Sequence, residues 1–237
     1  MLLLLLSFAS YLFSLFKRPF IYAGFVFQVV YIISRGLQLD RLPLVGPHDT
    51  IAFLAASIVA FYVPFSISLR ERLQPFHNIV AVMASVFTAI ALISRQNNSP
   101  LPPVLKTFWF ETHVVTAFLS YALFGIAAVL GYLYISKKDK SIEVLQYKAV
   151  LMGYSLFTLS MFTGGIWAYL AWGTYWLWTP KELWTSILWL FYTLYLHAQY
   201  RNWWSGRPLA FLGMAGFAVV MFTYLGVSLL MKSSHSF

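Results

Sequence analysis

Cysteine is absent from the 237 residues. The chain therefore forms no disulfide, offers no redox dithiol, ligates no metal through thiolate and carries no thioether-bound group of its own. Any thiol chemistry in its pathway belongs to another protein. Charge is almost as scarce, at 10% of residues against about 25% in soluble domains. Acidic residues are the rarest, seven against sixteen Lys and Arg. So little charge excludes an ordinary water-soluble domain. The net charge of +9 does not point to nucleic acid, because the basic residues sit in short clusters between apolar runs, where the positive-inside rule expects them. There is also no tandem repeat, low-complexity tract or soluble domain.

What remains is apolar: 60% of residues are hydrophobic and 19% aromatic, with a mean hydropathy of +0.74. Hydrophobicity sustained over a whole chain is a membrane signature. The expected fold is all-α, a polytopic membrane bundle of about eight transmembrane helices forming a single membrane domain over residues 1–237. The spans fall at roughly 2–16, 20–35, 50–69, 78–94, 113–135, 149–170, 184–199 and 208–231. The first two are short for a bilayer, which takes about 20 apolar residues. Leu2 to Leu6 has the look of a signal-peptide core. Lys17 and Arg18 follow it, no basic residue precedes it and no small-residue cleavage site is evident, so an uncleaved first helix with an outer N-terminus is expected.

That orientation can be tested by counting charge. It gives the inner segments ten basic residues, Lys17, Arg18, Arg70, Arg72, Lys137, Lys138, Lys140, Lys148, Arg201 and Arg207, and the outer segments the other six. The bias is moderate, and the Lys137–Lys140 cluster contributes most of it. The Asn97-Asn98-Ser99-Pro100-Leu101-Pro102-Pro103 stretch then reads as an outer loop, broken by its prolines. Both chain ends lie outside as well, as does a tryptophan-rich segment at 171–184.

Residues 163–184 read TGGIWAYLAWGTYWLWTPKELW and hold five of the nine tryptophans. Rings here fit an aromatic belt at the headgroups, or a platform on which a flat apolar ligand stacks. From physics alone the two readings are about even. The alternation Trp172, Tyr175, Trp176, Trp178 ending in Pro180-Lys181-Glu182 is more than a belt needs. Gly173 permits unusual backbone angles, Pro180 suits a first helical turn, and Glu182 suits the positive end of a helix dipole.

The stretch resembles the tryptophan-rich signature WGxYWxWDPKExW of the cytochrome c assembly proteins, the CcsA/ResC and CcmC haem-handling family. Trp172, Gly173, Tyr175, Trp176, Trp178, Pro180, Lys181, Glu182 and Trp184 match it. Thr163-Gly164, Trp167-Ala168 and the run from Trp189-Leu190 to Tyr195-Leu196-His197 also fit, and they favour the CcsA/ResC branch. One position departs, with Thr179 standing where the family has Asp. Thr can cap a helix but carries no charge.

The resemblance implies an all-helical membrane bundle that binds haem b, carried as cargo, at an external tryptophan-rich loop. It implies Trp172, Gly173, Tyr175, Trp176, Trp178, Lys181, Glu182 and Trp184 as the haem-contacting segment. Haem is then presented to apocytochrome c beside a ResB/CcsB-type membrane partner. It further implies His113, before the signature, and His235, after the last span, as outer iron ligands, and His197 as the ligand of an inner site. Imidazole is a common axial ligand of haem iron, although a lone histidine at a membrane boundary is more often an interfacial hydrogen-bonded residue. His77, beside Arg70, Glu71 and Arg72, is expected on a solvated inner loop, and His48, beside Asp49, outside. The location expected is a bacterial plasma membrane, with lipid around it and no nucleic-acid partner. Whether such a protein catalyses thioether formation is left open. A membrane regulator of the HemX kind is the alternative, for which Thr179 leaves room. A solute transporter is weaker, since the spans are nearly free of charge and show no inverted repeat.

Overall fold

The structure, a computed structural model, describes residues 1–69 and 73–230. Among these every regular element is helical. The chain gathers into two compact units, Met1–Leu101 and Pro102–Phe237.

The first unit contains α1 (Leu2–Ser14), α2 (Phe20–Leu39), α3 (Pro47–Leu69) and α4 (Leu73–Ile93). Its interior mixes apolar packing with a ladder of satisfied polar groups. Ser7 Oγ donates to the Gly24 carbonyl (2.8 Å), and Gln28 Nε2 donates to the Ala52 carbonyl (2.9 Å). Arg35 and Asp49 form a buried ion pair at 3.2 Å. The Arg35 and Arg41 guanidiniums also donate to the Asn97 carbonyl at 3.2 and 3.4 Å, which ties down the proline-rich stretch that follows α4. Buried polar groups are tolerated where they find partners, and most of these do.

The second unit contains a 3₁₀ turn (Pro103–Leu105), α5 (Phe108–Lys137), α6 (Lys140–Trp172), α7 (Pro180–Tyr200), α8 (Arg207–Met221), a π-helical turn (Phe222–Gly226) and α9 (Val227–Leu230). Helices α5 and α6 form a long antiparallel hairpin. Lys138 closes α5 in the left-handed region at φ 54°, and Asp139 opens α6 by accepting the Ser141 amide. Small residues bring these helices close, since a Cβ at Gly153 of α6 would lie 2.8 Å from the Phe124 ring of α5.

Among the described residues, six helical stretches are long and apolar enough to cross a membrane: Phe20–Leu39, Pro47–Leu69, Gln74–Ile93, Phe108–Lys137, Lys140–Trp172 and Arg207–Gly226. The protein is thus a polytopic helical membrane protein. The other two expected spans fall short for different reasons. At 13 residues, α1 covers about 20 Å at 1.5 Å per residue, against a hydrocarbon core of about 30 Å. Helix α7 is long enough at 21 residues, but Thr185, Ser186, Thr193, His197 and Gln199 dilute its apolar content.

Candidate functional site

The tryptophan-rich segment is the connection from α6 to α7, and both of its ends are fixed by local chemistry. Trp172 is the last residue of α6. Gly173 then takes φ 76° and donates its amide to the Tyr169 carbonyl at 2.8 Å, the left-handed helix stop that glycine adopts without a Cβ penalty. At the other end Thr179 is the N-cap of α7, Pro180 the first helical residue and Glu182 the reciprocal partner of a capping box. Glu182 Oε2 accepts the Leu177 and Thr179 amides, both at 2.9 Å, and Glu182 is itself buried. Its carboxylate therefore fastens the loop. Thr179 does the capping that an Asp would do there. Between these ends Trp178 sits at φ 56°, a left-handed conformation unusual for a bulky residue.

The rings divide into two groups. Tyr175 and Trp178 are 60% and 69% exposed, which leaves Trp178 and one face of Tyr175 open to a ligand or to lipid. Tyr175 stacks on Tyr169 with centroids 4.6 Å apart. Trp172 instead turns inward and packs edge-on against Trp167 at 4.9 Å. Trp184 packs against Phe222 of the π-helical turn at 4.5 Å. Lys181, half-buried in the first turn of α7, has its pKa lowered by burial.

Behind Trp172 the structure brings His113 of α5 to the same cluster. Its ring lies nearly parallel to Trp167, with 6.3 Å between centroids and 16° between planes. Phe110 flanks Trp167 at 5.1 Å, and Trp167 Nε1 donates to the Val104 carbonyl at 2.8 Å. His113 Nδ1 stands 2.8 Å from the Ser160 carbonyl of α6, and Ser160 Oγ donates to the His113 carbonyl at 3.0 Å. A carbonyl only accepts, so Nδ1 carries the proton and the imidazole is the Nδ1–H tautomer. Nε2, which has no hydrogen-bond partner among the described residues, keeps its lone pair. This is the second-sphere arrangement that orients a histidine toward a metal. Gly164 makes the close approach possible, because a Cβ there would lie 2.6 Å from His113 Nδ1.

The remaining histidines separate clearly. His197 is in the last turn of α7, about 22 Å along the helix from Glu182 at 1.5 Å per residue, and its ring is exposed. His235 lies outside the described residues. His48 and His77 belong to the first unit and are buried, at 1% and 0% exposure. The expectation of a solvated loop for His77 is corrected: it lies within α4, accepts from the Tyr62 hydroxyl at Nδ1 (3.0 Å) and donates from Nε2 to the Ser14 carbonyl (2.9 Å). His48 has the opposite tautomer, donating from Nδ1 to the Ala91 carbonyl (2.7 Å) and accepting from Tyr31 at Nε2 (2.5 Å). Both nitrogens of each ring are committed. Among the described residues, no three His, Asp or Glu side chains form a group that could hold a metal ion.

Ser160, Gly164 and Trp167 are the residues that sequence reasoning did not assign to the site. Their spacing of four and three places them on one face of α6; Gly164 and Trp167 also fall in the stretch that fits the signature, whereas nothing local marks Ser160.

A polytopic helical membrane protein with one free imidazole nitrogen set among aromatic rings is the class that the fold and the site define. Residues 45–235 match the Cytochrome C assembly protein family, and the chain belongs to that family. Among the relatives it matches are several named cytochrome c biogenesis protein CcsA. That from Chlamydomonas reinhardtii is 30% identical over 88% of this chain, which spans 64% of the relative's length. Those from Guillardia theta and Prochlorococcus marinus are 29% and 28% identical, covering 99% and 94% of this chain and 92% and 87% of their own. A solved structure titled Cytochrome c Heme Lyase CcmF shares the fold, with a TM-score of 0.66 at 15% identity, over 98% of this chain and 45% of that one.

Proposed function

We propose that the protein binds haem b as cargo at the end of its second unit that carries Trp172–Trp184, and presents it for covalent attachment to apocytochrome c during cytochrome c biogenesis. The observation that carries this reading is the Nδ1–H of His113 donated to the Ser160 carbonyl, which leaves Nε2 uncommitted on a ring that stacks on Trp167, itself packed against Trp172. His113 would offer that nitrogen to the iron, and His235, outside the described residues, would be the second ligand. Trp172, Tyr175, Trp176, Trp178 and Trp184 supply apolar surface to the macrocycle, while Gly173 and Glu182 hold the shape of the loop. Lys181 meets a propionate as a point charge. The chain supplies binding and orientation, while the reactive thiols come from the acceptor, since this chain has no cysteine.

The capping by Thr179 supports this reading over a HemX-like regulator, because the loop keeps its fastening without the family's Asp. His197 serves a second, inner haem position shared with a ResB/CcsB-type partner. In this reading the two units act as one membrane domain, α1 and α7 complete eight membrane-embedded helices, and the tryptophan-rich loop faces outward from a bacterial plasma membrane.

The test is the absorption spectrum and pyridine haemochrome of protein purified with and without its membrane partner. Wild type is expected to carry haem, and His113→Ala to lose most of it while His48→Ala keeps it. A haem-free wild type, in cells whose cytochrome c level survives deletion of the gene, refutes the proposal.

A further inference from the structure

The second unit has a polar interior that the haem reading does not use. Gln146 of α6 and Tyr192 and Tyr195 of α7 are wholly buried. Gln146 Oε1, the hydroxyls of Tyr192 and Tyr195, and Gln199 Oε1 have no hydrogen-bond partner among the described residues. Tyr192, Tyr195 and Gln199 recur at three and four residues and so share one face of α7. Such atoms are ordinarily satisfied when buried.

The packing around them makes room for polar heads. A Cβ at Gly131 of α5 would lie 2.6 Å from Gln146 Nε2, and one at Gly216 of α8 would lie 2.6 Å from the Tyr192 hydroxyl. Gly213 of α8 faces both the Gln146 amide and the Tyr195 ring. Four helices thus place glycine or a polar side chain around one region. The single direct bond there is long, Gln146 Nε2 to the Ala210 carbonyl at 3.4 Å. Glu143, one turn before Gln146 on α6, is buried and is held by Lys140 (2.9 Å) and the Gly206 amide (3.1 Å). It extends the polar track toward the α5–α6 turn.

We propose that internal water occupies a site bounded by Gln146, Tyr192, Tyr195 and the Gly213–Gly216 strip, and bridges α7 to α6 and α8. The site offers two hydroxyls and an amide carbonyl to its occupant, within the two to four polar partners that a buried water requires. The inference stands independently of haem binding.

The full chain in lipid nanodiscs is exposed to X-ray-generated hydroxyl radicals, and modification is read by mass spectrometry. Tyr192 and Tyr195 are expected to be modified despite their burial, alongside the exposed Tyr175 and Tyr200. In parallel, Tyr192→Phe and Tyr195→Phe are each expected to lower the melting temperature by roughly 2–4 °C, as loss of a satisfied bond does in a chain of this size. Tyrosines left unmodified beside labelled Tyr175, or a melting temperature unchanged or raised in both variants, overturns the proposal, since a dry, unpartnered hydroxyl is better removed.

Discussion

Adding one methyl group at Gly164 should cripple the proposed iron ligand, His113, while leaving its imidazole in the sequence. An alanine Cβ at that position would sit 2.6 Å from Nδ1, 2.9 Å from Cε1 and 3.2 Å from Cγ of His113. The ring must move, and the first thing it loses is its 2.8 Å bond to the Ser160 carbonyl. That bond contributes about 1 kcal/mol, and crowding in a packed site costs roughly 1–3 kcal/mol. Against this, alanine in a helix gains up to about 1 kcal/mol over glycine. Folding stability should therefore change little, or fall by about 1–3 kcal/mol, whereas haem retention should fall by about 10- to 100-fold, the range for a lost second-sphere partner. The neighbouring Gly165→Ala is the control. Its Cβ would meet only the Tyr175 carbonyl, at an ordinary 3.6 Å, so it should keep its haem. The assay is haemin titration of the purified variants by absorbance, with circular dichroism to report folding. Equal haem affinity in Gly164→Ala and Gly165→Ala would refute the role given to the His113–Ser160 contact.

Thr179→Ala should destabilise the start of α7 by about 1 kcal/mol and speed amide exchange across 173–182, whereas Thr179→Asp should keep wild-type protection; equal exchange in both variants contradicts the cap. Gly173→Ala should cost about 1 kcal/mol through its φ of 76° alone, because the added Cβ meets nothing within 4 Å; a stabilised variant in thermal unfolding contradicts this. His77→Ala should cost about 1–3 kcal/mol by stranding the Tyr62 hydroxyl and the Ser14 carbonyl, and should leave bound haem per folded protein unchanged in the haemochrome assay.

The beginning of α7 is readable because its signals are local: a capping threonine, a proline at the first turn and a glutamate three residues after the cap. The break at Gly173 is readable for the same reason. The histidines of the first unit are not. His77 follows a charged run and reads as a loop residue, yet its partners Tyr62 and Ser14 lie 15 and 63 residues away. No window of sequence contains that pairing. The same holds for Ser160, whose carbonyl fixes the tautomer of a histidine 47 residues earlier. Trp172 is visible as an aromatic of the segment, but its inward turn onto Trp167 depends on how α6 meets the 3₁₀ turn at Val104. Helix α7 shows a different limit. Its apolar run reads as a span, while the direction in which its tyrosine hydroxyls point depends on glycines of α5 and α8.

The full commitment of His48 and His77 also bears on selectivity. A cargo that seeks imidazole would find decoys in any helical bundle that contains spare histidines. In the first unit each ring is closed at both nitrogens, one by a tyrosine hydroxyl and the other by a main-chain carbonyl. Iron could capture either only by breaking a buried bond, at about 1–3 kcal/mol for each group left unmet. In the proposed function, Tyr31 and Tyr62 would keep iron from lodging in the first unit.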